Sequence, residues 1–170
     1  THYGENHRQS SRVEPIPEQR EHPVLRGVGE MHTVAGAYTA APVAGSTILA
    51  RATVLNGMTA DAPADGTKSP VPVAWVREYP SKSGKAARVF TTTQGASQDL
   101  LNDNFRRMIG NAHLWCLGME AQIQPERSID FVGPYHPTTF SFTEFRRGIR
   151  PADLTGWESP ILDPRAPLKE

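Results

Sequence analysis

The strongest periodic signal in this chain lies at residues 101–119. Leu101, Phe105, Met108, Ile109, Ala112, Trp115, Cys116 and Met119 recur at helical spacing, while Asp103, Arg106, Arg107 and Asn111 fall on the other side. The pattern predicts an amphipathic helix that must lay its apolar stripe on another layer. Asn102, or Asp99 before it, can accept the free N–H groups of the first turn, and Gly118 supplies a left-handed stop.

The segments around this helix read as strands and loops. PVPVAWVREY is a compact apolar run rich in β-branched residues, and ARVFTTT follows it after the short loop PSKSGK. Two strands joined so tightly should pair antiparallel, because a parallel crossover needs a dozen or more residues. Upstream, VLRGV, HTVAGAY and STILARATVL are short, small or β-branched, and punctuated by Gly and Pro, which also suits strands. Asn56-Gly57 marks a turn, and the stretch from there to Pro70 reads as an exposed loop. Residues 1–23 read as irregular surface. Downstream, residues 121–170 carry seven prolines and scattered aromatics, which predicts an extended arm over the core and a frayed end. The expected organisation is a domain at 1–120 and a Pro-rich, aromatic extension at 121–170.

Composition narrows the partners. The 170 residues hold 18 Lys+Arg and 18 Asp+Glu, so the basic surplus that nucleic acid or an acidic membrane surface requires is lacking. No stretch approaches the ~18–20 apolar residues that span a bilayer, and no basic-then-apolar leader is visible, so membrane insertion is not expected and the compartment is left open; a periplasmic or secreted address would need a signal peptide in a longer chain. The single cysteine, Cys116, cannot make an internal disulfide, and its place in the helix's apolar stripe predicts a buried, inert thiol. His2, His7, His22, His32, His113 and His136 are too scattered for an i, i+4 metal pair, so neither a metal nor another cofactor is expected. His113, at the stripe's edge, is expected to pack and to be satisfied by a hydrogen bond. No G-x-S-x-G elbow, G-x-G-x-x-G loop or Walker sequence is present.

The most informative arrangement is strand, glycine-containing turn and helix at residues 86–117. In open α/β sheets, ligands gather beyond the carboxyl ends of strands, where the next helix points its unpaired N–H groups. Gln94 would offer an amide there, Gly95 close backbone approach and Ser97 a hydroxyl, a set suited to a polyhydroxylated or carboxylated ligand. The alternative is that these residues only turn and cap the chain.

Residues 72–118 resemble the ThuA-like (trehalose-utilisation) family, whose domain ends in a P-[VI]-A-W strand, a G-K-x-R-V-F-[YT]-T-T strand, a Gly turn and a helix reading F-x-x-[LM]-[IL]-x-x-x-x-x-W-[AC]-L-G. EHPVLRGV at 21–28 resembles the family's E-H-P-I-L-x-G-[VL], and Ala37-Tyr38 occupies what resembles its acidic-then-tyrosine position. The resemblance implies a flavodoxin-like α/β fold, a three-layer sandwich related to class I glutamine amidotransferases, here incomplete at its N-terminus. It also implies a sugar of the trehalose or keto-sugar type as ligand, held by Gln94, Gly95, Ser97 and Tyr38. Two departures bear on chemistry. Ala96 stands where many members have the histidine of a Gly-His pair, and Ala37 replaces the carboxylate, so glutaminase activity is excluded by the usual thiolate route. Any hydrolase or lyase chemistry would then fall to His2 or His7, the nearest candidates for a proton carrier near neutral pH. The competing expectation is a non-catalytic interaction module that docks on a neighbouring domain of a longer polypeptide.

Overall fold

The two apolar runs form a hairpin. Strands β4 (Val71–Pro80) and β5 (Ala86–Thr92) pair antiparallel from Ala74↔Thr92 to Pro80↔Ala86, closed by Ser81 N–H donating to the Lys85 carbonyl at 2.9 Å. The structure, a computed structural model, describes residues 3, 8–133, 135–137, 148, 150 and 152. Two units divide the chain, Thr1–Ile129 and Asp130–Glu170. In the second, the rings of Phe131 and Tyr135 stack with centroids 4.6 Å apart.

The first unit holds a five-stranded sheet in the order β2-β1-β3-β4-β5, with β1 at Ser11–Pro15, β2 at Met31–Thr33 and β3 at Thr47–Val54. Every pairing is antiparallel, and the sheet curls into a half-barrel carrying one helix, α1 (Asp103–Cys116). The expected flavodoxin-like sandwich is therefore wrong. That architecture needs parallel strands joined by crossover helices on both faces, whereas β3, β4 and β5 are joined by loops without a crossover helix and α1 follows the last strand.

Strand β1 lies second from the edge, although residues 1–23 read as irregular. Its alternation is carried by Ser11, Val13 and Pro15, all buried, with Arg12 and Glu14 turned outward. Only Val13 is a strong β-former, so pairing on both sides (Val13↔Met31, Val13↔Ala52) holds the strand, not propensity. The reverse error concerns VLRGV. Pro23–Leu25 is a single 3-10 turn, because Pro23 has no N–H to give a ladder and Gly27 sits at φ 68°. A side chain at Gly27 would also meet the Pro125 Cα at 2.9 Å. Of HTVAGAY only the first residues are strand.

Two irregularities of register, at Ile48/Ala50 and Ala50/Arg51, bend β3 against β4 and leave both Leu49 and Ala50 fully buried. The helix covers the inner face with Phe105, Met108, Ala112 and Trp115, and Val24, Leu25, Val28 and Ile123 complete the core. Asn102 caps α1 as expected, accepting from the N–H groups of Asn104 (3.0 Å) and Phe105 (3.3 Å), and Gly118 ends it at φ 71°. The stripe itself is narrower than its periodicity suggests. Leu101 and Cys116 are exposed, so the thiol is not the buried group expected. His113 is also exposed, but its Nδ1 lies 2.7 Å from the Ile109 carbonyl.

Asn111, assigned to the polar side, is instead buried. Its Nδ2 donates to the carbonyls of Val24 (3.2 Å) and Arg26 (2.9 Å). Seven residues earlier, Asn104 accepts from Gly29 N–H and donates to the Glu30 carbonyl, both at 2.9 Å. Two helical turns separate these amides, so they share a face and clamp the backbone of 24–30 onto α1. No helix among the described residues is long and apolar enough to cross a membrane.

Candidate functional site

The turn between β5 and α1 is organised by a single carboxylate. After Thr93, whose N–H donates to the Val73 carbonyl at 3.0 Å, the chain passes through Gln94 and Gly95 into a 3-10 turn at Ser97–Leu101. Asp99 is the third residue of that turn and is 1% exposed. Its Oδ2 accepts from the N–H groups of Gly95 (3.0 Å) and Ala96 (2.9 Å), reaching back as capping-box acids do. Its Oδ1 accepts from Val34 (2.7 Å) and Ala35 (3.4 Å), just beyond β2. Four main-chain donors from two distant segments thus converge on one buried side chain. Asn102 adds a contact between the same segments, donating from Nδ2 to the His32 carbonyl.

This clasp corrects the expected origin of the site. The N–H groups of the Gly95 turn are not free to receive a ligand, because Asp99 holds them, and α1 begins only at Asp103 with its own cap. Nor is the sheet an open parallel one with ligands at its carboxyl edge. At this turn the side chain of Gln94 is enclosed. It is 5% exposed, and neither Nε2 nor Oε1 has a hydrogen-bond partner. Thr93 Oγ1 and His32 Nε2 are likewise buried and unpartnered. Among the described residues, four of the five such atoms therefore belong to the two segments that Asp99 joins. A buried polar group left unmade costs about 1–3 kcal/mol, so this concentration is a stored cost at one place in the fold. Burial pushes the His32 imidazole below its ordinary value, against the opposing pull of Asp99, which favours a neutral ring.

Gln94, Gly95 and Ser97 lie together on this turn, with Gly95 and Ser97 exposed on either side of Ala96. Tyr38 is exposed and lies three residues beyond the clasped Ala35. His2 and His7 lie outside the described residues. Reading the sequence missed His32, which stood among scattered histidines, and the role of Asp99, which it considered only as a helix cap. The one signal available was the spacing of Asp99 three residues after Ala96, a capping-box interval; nothing local marks the partner segment at 34–35.

No family model matches the chain, and neither the comparison with curated proteins nor that with solved structures finds a match.

Proposed function

We propose that the chain is a carbohydrate-binding domain, akin to ThuA-like proteins in its β4-to-α1 segment, that takes a trehalose-type or keto sugar at the Gln94–Ser97 turn. One observation supports this reading above the others: the unpaired amide of Gln94. A primary amide offers donor and acceptor side by side, and a sugar hydroxyl offers the complementary pair, so a hydroxyl admitted to this enclosed position as the turn opens satisfies both atoms at once. Because their cost is already present in the free fold, each hydrogen bond made to a ligand contributes close to its full value. Ser97, exposed at the same turn, supplies a further hydroxyl, and Tyr38 an aromatic face with a polar tip.

Titration calorimetry with trehalose and a panel of keto-disaccharides tests the reading. The wild-type chain binds at least one sugar of the panel, and the Gln94→Ala, Ser97→Ala double variant binds it at least about tenfold more weakly. Unchanged affinity in the double variant would sink the site. A wild-type chain indifferent to the whole panel would sink the ligand class.

A further inference from the structure

The hairpin β4–β5 extends beyond the rest of the sheet. The last pairing of β4 with β3 is Val76↔Thr47, so Arg77–Pro80 and Ala86–Val89 pair only with each other and form a two-stranded ribbon. Register settles which side chains share its faces, since directly opposed residues lie on one side. One face carries Val76, buried in the core, and Glu78 paired with Arg88, whose guanidinium lies 4.9 Å from the Trp115 ring centre. The other face carries Trp75↔Thr91, Arg77↔Val89 and Tyr79↔Ala87, with Ile48 opposite Trp75 on β3.

That outer face is open. Tyr79 is 42% exposed and Val89 39%, Arg77 is exposed, and Trp75 is half-buried. Monomeric surfaces rarely gather Trp, Tyr and Val in one row without a use for it. The row is also of one charge. Arg77 makes no ion pair or hydrogen bond among the described residues, Lys82 and Lys85 stand exposed at the hairpin tip, and the nearby acid, Glu78, lies on the opposite face in the grip of Arg88.

We propose that this face binds an acidic oligosaccharide, with Trp75 and Tyr79 stacking on two non-adjacent rings of one chain and Arg77 pairing with a carboxylate of the sugar between them. The proposal stands apart from the Gln94 reading and uses none of its residues. Trp75 and Tyr79 are four residues apart on one extended strand, about 13 Å, which calls for an extended chain and not a single sugar. A pyranose ring has an apolar C–H face and carries its polar groups at the rim. Flat aromatic side chains alternating with a planar five-donor guanidinium match that division, and the guanidinium can grip a uronate in bidentate fashion. A single-stranded nucleic acid would also stack, but it needs a line of cations along its backbone, and here one arginine lies between the rings in a chain with balanced charge. A strand-adding peptide would use the open edge of β5 and leave the ring faces idle.

Affinity electrophoresis of the whole chain through gels containing polygalacturonate, dextran or no polymer tests it, with oligo-dT as a competitor. Polygalacturonate retards the wild type, and dextran does so far less. Trp75→Ala and Tyr79→Ala each weaken retardation about tenfold, Tyr79→Phe retains it, and Arg77→Gln removes the preference for the acidic polymer. Tyr79 and Arg77 are exposed, so those variants keep the fold even if Trp75→Ala does not. Absence of retardation by polygalacturonate, retardation indifferent to Tyr79→Ala and Arg77→Gln, or complete displacement by equimolar oligo-dT would each overturn the proposal.

Discussion

At the scale of single residues, Asp99 has the largest structural consequence for its size. Its carboxylate is the acceptor for four main-chain N–H groups, two on each oxygen. Removing the acceptor leaves donors without partners in a site from which water is largely excluded, each at about 1–3 kcal/mol. Asp99→Ala is therefore expected to cost more than about 3 kcal/mol, and Asp99→Asn, which keeps one carbonyl oxygen and adds an unwanted donor, roughly half as much; urea midpoints at constant m-value measure both. Gln94 shows the opposite sign. Its amide is buried and unpaired, so Gln94→Leu should raise the unfolding free energy by about 1 kcal/mol while abolishing sugar binding, a division of stability from function that a merely structural glutamine would not display. Neither property could be read from the chain alone. The chain places an aspartate near a turn, but which donors reach it depends on residues 34–35, more than sixty positions away.

Among the elements, the junction of the 3-10 turn at Pro23–Leu25, strand β5 and helix α1 is held by His22. Its Nδ1 accepts the Val24 N–H at 3.2 Å, and its ring lies 5.4 Å from that of Trp115. Burial, then the charge of Arg88, lowers its affinity for a proton; Arg26 adds to this, while Glu78 and Glu120 oppose it. A histidine held neutral in the fold but titrating at 6.5 when unfolded binds more protons in the unfolded state. Stability from this group is therefore complete above pH 6.5 and declines as the pH falls below it. Denaturant midpoints between about pH 7 and pH 5 should fall in the wild type and fall less in His22→Asn, which keeps a capping acceptor without the titration; equal slopes would show that other groups govern this range. The elements legible beforehand were those set by local pattern: β3, β4, β5, the antiparallel β4–β5 hairpin, α1 and its two caps. β1 and the turn at Pro23 were not, because the first has one strong β-former and the second buries Val24 and Leu25 without being a strand.

At the scale of the Thr1–Ile129 unit, stability rests on the helix α1 covering the curled sheet. Phe105 is buried at 2% exposure among core residues of the sheet and helix, so Phe105→Ala should cost about 3–5 kcal/mol and broaden or abolish the thermal transition of the Thr1–Ile129 unit, measurable by calorimetry. The architecture also explains why similarity of segments misled about the fold. The 72–118 stretch specifies strand, hairpin, strand, turn and helix, and that local order is present. Whether the strands before it join a parallel sheet or an antiparallel one is decided by the crossovers between them, and here β1, β2 and β3 are joined by loops and 3-10 turns that return the chain antiparallel. By itself the amino-acid sequence determined the periodicities, the capping residues, the tight hairpin and the balanced charge, all of which depend on neighbours within a few positions. Only the tertiary structure decided the order of strands, the burial of Asn111 and Gln94, and the meeting of residues 34–35 with Asp99. Those depend on loop closures whose free energies are settled by the packing of the entire core, which no local window contains.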